Sequence, residues 1–183
     1  DINKQCTEYS FETKVEVSID DNYSKINGSV YGGGDLGQVG VGVINTTNNT
    51  ANISKAGTTK VIVQNGYISG SVFGGGSGVP TDEKYELKMG SIYGFTTTTI
   101  NGGYIGGNIY GGGTQSRVYF SDKIDTESSI SLFTTTDDIR YATNVLIEEN
   151  NKIVVNGSVF GGGDRGNSAT TNASVPTTIG DVL

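Results

Sequence analysis

Histidine and tryptophan are absent from this chain of 183 residues, cysteine occurs once and proline twice. A lone cysteine, Cys6, excludes any internal disulfide. With neither a histidine nor a second cysteine to support it, Cys6 reads as a small terminal or partly buried residue and not as a nucleophile. Positive charge is also scarce. Twelve Lys and Arg face nineteen Asp and Glu, for a formal net charge of −7. That balance excludes the basic stripe of a nucleic-acid surface and the polybasic patch of a membrane-binding one. No apolar run is long enough to span a bilayer, so membrane insertion by this segment is not expected.

Glycine, by contrast, is abundant, at 29 residues. There is no Gly-X-Y period, so collagen is excluded. The glycines cluster in one phrase that occurs four times: a small polar residue, a β-branched residue, an aromatic and three glycines, introduced by a further glycine. Its copies begin at Gly28, Gly70, Gly107 and Gly157. The aromatic-glycine quartets are Tyr31, Gly32, Gly33, Gly34; Phe73, Gly74, Gly75, Gly76; Tyr110, Gly111, Gly112, Gly113; and Phe160, Gly161, Gly162, Gly163. Self-similarity at a period of tens of residues signals an array in which each unit buries its apolar face against the next.

The aromatics recur at intervals of 42, 37 and 50 residues. Since one β-helix coil takes about twenty residues, each interval predicts roughly two coils. A propeller blade fits the mean interval, but glycine triplets inside blades would weaken their strands, and unequal blades close a ring poorly. Each unit is written as a Thr-rich strand, a turn such as Asn65-Gly66, and a second strand from Tyr67 to Phe73. In that second strand Ile68 and Val72 face the interior. Whether the aromatic column points in or out is left open. The polar stretches that follow each triplet are expected to leave from one edge, with residues 125–140 as an insertion. Met89 to Gly94 reads as a decayed fifth copy, and Thr177 to Leu183 as the opening of a further repeat.

Candidate chemistry is sparse. The triplets superficially resemble phosphate loops, but no helix is signalled after them, and four copies fit architecture better. Asp35 and Asp164 follow two of the triplets. One carboxylate per turn does not make a calcium site with six or more oxygens, so no cofactor is expected; calcium is the lone metal to weigh. The carboxylate pairs Asp20-Asp21, Asp82-Glu83, Asp137-Asp138 and Glu148-Glu149 read as solvated charge, because adjacent side chains on a strand point to opposite faces. The arginines, Arg117, Arg140 and Arg165, sit in no dense acidic constellation. Thr96 to Thr99 and Thr134 to Thr136 could form an ice-binding hydroxyl face, but the rows do not recur in register with the triplets.

The Asn-Gly-x-Ile-x-Gly-x-Val-Tyr-Gly-Gly-Gly style of repeat, over residues 26–163, resembles that of adhesin-like parallel β-helix surface proteins of gut-type bacteria. The resemblance implies an extracellular or cell-surface stalk or adhesin. No functional residue carries over, because the motif is the scaffold. The expectation is therefore all-β: a right-handed parallel β-helix (β-solenoid), one segment over residues 1–183 of a longer repetitive chain. It would be structural or adhesive and not an enzyme. Its partners would be further coils or identical subunits end to end, and host or cell-surface glycans or proteins. Alternatives are a self-assembling filament subunit and a β-helix carbohydrate-binding or carbohydrate-active module.

Overall fold

The computed structural model of the chain describes residues 11–21, 24–45, 50–78, 90–119, 142–149 and 152–164. Among these residues there is no helix; all regular structure is β. Each repeat supplies a long strand and two short ones. The first set is β1 (Glu12–Ser18), β2 (Lys25–Ile26) and β3 (Val30–Tyr31). An antiparallel hairpin, β4 (Val41–Asn45) and β5 (Thr50–Lys55), follows. The second set is β6 (Gly57–Asn65), β7 (Tyr67–Ile68) and β8 (Val72–Phe73); the third is β9 (Ile92–Ile100), β10 (Gly103–Ile105) and β11 (Ile109–Tyr110). After β12 (Val118–Tyr119) comes the fourth: β13 (Thr143–Ile147), β14 (Ile153–Val155) and β15 (Val159–Phe160).

Equivalent strands pair in parallel and in register. The long strands join as β1-β6-β9-β13, the middle ones as β2-β7-β10-β14 and the last as β3-β8-β11-β15. Four repeats therefore form four stacked layers. Inward positions of the short strands become columns of like side chains: Val30, Val72, Ile109 and Val159 in one, Ile26, Ile68, Ile105 and Val155 in another. Along β6, Thr59, Val61 and Val63 face the interior and are buried; of the outward set Lys60 and Gln64 are exposed, while Thr58 and Ile62 are covered as well. The columns merge into one aliphatic core around Val61, Val63, Ile68, Val72, Ile100, Ile105 and Ile109. Burying one such side chain contributes about 1.5–3 kcal/mol, so the core grows with every layer added.

Pairing joins each repeat directly to the next, which corrects the expected two coils per repeat. The interval is long for another reason. One layer runs from Gly57 to Gly78 in about twenty residues, and the rest is inserted chain. In the first layer the hairpin follows Val39, whose register partner Ile92 also pairs with Val118; the other polar stretches, expected to leave from one edge, lie largely outside the described residues. The second strand from Tyr67 to Phe73 is likewise two strands separated by a corner at Ser69–Ser71. Met89 to Gly94 is not a fifth copy. Ile92 stands in a separate column with Val39 and Val118, over Ala142. The proposed insertion at 125–140 and the repeat opening at Thr177 lie outside the described residues.

Candidate functional site: the stacked repeat face

Every position of the repeated phrase has a defined contact in the next layer. The small polar residue forms a ladder: the backbone N–H of Ser71 donates to Ser29 Oγ at 3.0 Å, that of Asn108 to Ser71 Oγ at 3.0 Å, and that of Ser158 to Asn108 Oδ1 at 2.8 Å. An oxygen on a short side chain is what this rung needs, hence Ser or Asn. The β-branched residue fills the core. The aromatic, next in sequence, points to the opposite face. Tyr31, Phe73 and Tyr110 stack at centroid spacings of 4.8 Å with planes within 3°, and Phe160 continues the column at 5.0 Å. The spacing equals the separation of hydrogen-bonded strands, so the sheet itself sets the stack. Tyr67 and Tyr104 form a second, more exposed pair at 4.7 Å. Alternation sets the rings opposite the aliphatic columns, and Phe73 and Tyr110 are buried there all the same.

The glycines are required for close approach and not for handedness. Positive φ occurs at Gly40, Gly66, Gly90, Gly94 and Gly103, at corners and loop bases, and at no triplet glycine. A Cβ on Gly32 would meet the Gly74 carbonyl oxygen, one on Gly74 that of Gly111, and one on Gly111 that of Gly161, all well under 3.0 Å. Among the described residues nothing lies within 4 Å of the same position on Gly161.

These carbonyls are served by residues that the sequence reading passed over. Thr13 Oγ1 donates to the Gly32 carbonyl at 2.5 Å, Thr59 to Gly74 at 2.5 Å, Thr96 to Gly111 at 2.5 Å and Thr143 to Gly161 at 2.6 Å. The four threonines are register partners. One threonine per layer thus recurs in register with the triplets, against expectation, but it points inward. The outward residues in this sheet are mixed, Lys14, Lys60, Thr97 and Asn144 in one column, so no ice-binding hydroxyl face forms there. The signal was present in the two middle repeats as a Thr fifteen residues before the first glycine of the triplet.

Threonine to valine keeps shape and removes the hydroxyl, so its sign depends on the partner. Thr59→Val is expected to destabilise by about 1–3 kcal/mol, because a buried carbonyl loses its donor. Thr98 stands in the column with Val61 and Val145, and its buried Oγ1 has no partner. Thr98→Val is expected to stabilise by about 1 kcal/mol. Urea melts of both variants against the parent chain check this pair of opposite signs.

The acidic candidates do not assemble. Asp35, Ser77, Thr114 and Asp164 are consecutive rungs of one ladder, so the two aspartates are three strand separations apart, about 14 Å. They cannot share one ion. No group of three or more His, Cys, Asp or Glu is gathered among the described residues. Asp20, Asp21, Glu148 and Glu149 are exposed, while Asp82-Glu83, Asp137-Asp138, Arg140 and Arg165 lie outside the described residues. Arg117 is the exception that sequence reasoning missed, a buried side chain in β-structure next to β12. No helix among the described residues is long and apolar enough to cross a membrane. Comparison with family models, curated proteins and solved structures finds no match.

Proposed function

We propose that this chain is a non-enzymatic, right-handed parallel β-solenoid that serves as an extracellular structural or adhesive stalk, in the manner of adhesin-like surface repeats. The observation that carries the reading is the use made of the repeat: each of its recurring letters is engaged in layer-to-layer contact or in the core. A scaffold of this kind lengthens by adding layers and holds side chains at fixed spacing. Right-handedness follows the strong preference of parallel crossover connections. The hairpin β4-β5 and the polar insertions are the variable parts that would meet glycans or proteins of another surface.

A filament or longer-stalk reading is favoured by the fourth layer. Val159 occupies a core column yet is 46% exposed, and Phe160, the last ring of its column among the described residues, is 44% exposed. Further layers of the same kind, in the same polypeptide or in another copy, would cover both.

The test is antibody labelling of intact source cells before and after permeabilisation. Equal labelling supports the surface stalk; labelling that requires permeabilisation contradicts it. A carbohydrate-active enzyme would instead be revealed by release of reducing ends from acidic polysaccharides.

A further inference from the structure

A second face of the molecule has nothing to do with the repeated phrase. Ile92-Tyr93 and Val118-Tyr119 pair in parallel. Their aliphatic members pack with Val39. The alternate residues, Ser91, Tyr93, Arg117 and Tyr119, therefore share the opposite face. Tyr93 and Tyr119 stack at 5.2 Å. The hairpin covers this face: β5 packs on β9 and β12, and Gly42 of β4 lies so close to the Tyr93 ring that a Cβ there would overlap it.

Under that cover Arg117 is 2% exposed. Its guanidinium carries five N–H donors. One reaches the Tyr119 hydroxyl at 3.5 Å, and the buried Nε has no partner. The Tyr93 hydroxyl, on the ring stacked against Tyr119, is also buried and unpartnered. Burial pushes both tyrosine hydroxyls above the ordinary phenol range, so they remain O–H groups able to donate. No ion pair to Arg117 is found among the described residues. A buried charge left in that condition costs several kcal/mol unless an anion neutralises it.

We propose that this covered face binds one carboxylate group, gripped by the Arg117 guanidinium and the Tyr93 hydroxyl beneath the β4-β5 hairpin. A flat, forked donor set matches a planar carboxylate. A single positive charge balances a monoanion, whereas a dianion would leave an uncompensated negative charge in a dry site. The carboxylate could belong to a small free acid or to an acidic sugar, and the test separates the two. The proposal is independent of the stalk reading.

The experiment is thermal denaturation of the full chain in millimolar sodium acetate or sodium glucuronate, against sodium chloride of equal ionic strength and against neutral acetamide. Acetate is expected to raise Tm by roughly 3–6 °C for each tenfold excess over its Kd, with chloride and acetamide inert. An equal or larger rise with glucuronate assigns the site to acidic sugars; a rise with acetate alone assigns it to small acids. Arg117→Met should abolish the carboxylate increment and Arg117→Lys should keep part of it. The acetate-acetamide comparison on the unmodified chain decides the matter even if Arg117→Met does not fold. No carboxylate-specific rise, or an undiminished one in Arg117→Met, overturns the proposal.

Discussion

Gly74→Ala is expected to destabilise the chain by about 3 kcal/mol or more, while Gly161→Ala shifts stability by less than about 0.5 kcal/mol. The two glycines hold the same position in the repeated phrase. They differ in what lies over them. A Cβ on Gly74 would collide with the Gly111 carbonyl, which is backbone and is fixed by the hydrogen bonds on either side, from Gly74 N to Tyr110 O and from Gly75 N to Gly112 O. Relief would require parting two layers and breaking the ring stack of Phe73 on Tyr110. Gly161 meets no described residue in the same direction. At about 2–4 °C per kcal/mol for a chain of this size, the first variant should melt some 6–12 °C lower and the second close to the parent. Equal losses at both positions would mean that the triplets serve backbone conformation and not stacking.

Ile109→Asp should be more damaging still. Ile109 is fully buried between Val72 and Val159 in the core column. Aspartate there forfeits the apolar burial and places a carboxyl group among aliphatic side chains with no partner. The combined cost, above about 5 kcal/mol, is comparable to the whole stability of a domain. The expected readout is loss of the cooperative melt and of the parallel-sheet circular dichroism signal. Val159→Asp puts the same group in the same column one layer later, where the side chain is half exposed, and should cost less than half as much. If Ile109→Asp folds as well as Val159→Asp, the order of the layers is wrong.

The strands and their parallel stacking were legible because the phrase repeats class for class, and a side chain that recurs at one place in every layer must meet its own kind. The Asn65-Gly66 and Asn101-Gly103 corners were legible for the same reason as any turn: Gly66 and Gly103 adopt positive φ there. The number of layers was not. An interval of 37 residues says how far apart two copies are in sequence. It does not say whether the chain between them forms another layer or an excursion such as β4-β5. Loop-closure cost grows only slowly with length, so insertions of unequal size leave the stack unchanged and the sequence uninformative. The inward threonines were hidden by their neighbours. Thr96 to Thr99 contains one clasp to the Gly111 carbonyl, one unpartnered buried hydroxyl at Thr98 and two outward residues, Thr97 and Thr99, and nothing in the letters distinguishes them. Arg117 escaped notice because a surface role is the ordinary expectation for arginine, and nothing in its neighbours in sequence signals that it is buried.

The central claim is one layer per repeat, in parallel register. Cysteine cross-linking tests it most directly, with Cys6 replaced by serine throughout. Lys60 and Thr97 are register partners on the outward face of adjacent layers. Strand separation puts their Cα atoms about 5 Å apart, within reach of a disulfide. Lys14 and Thr97 stand in the same column but two layers apart, about 10 Å, beyond that reach. The account predicts that Lys60→Cys with Thr97→Cys oxidises readily in the folded monomer and that Lys14→Cys with Thr97→Cys does not. Failure of the first pair to close while the chain remains folded would put another layer between the repeats and contradict the account.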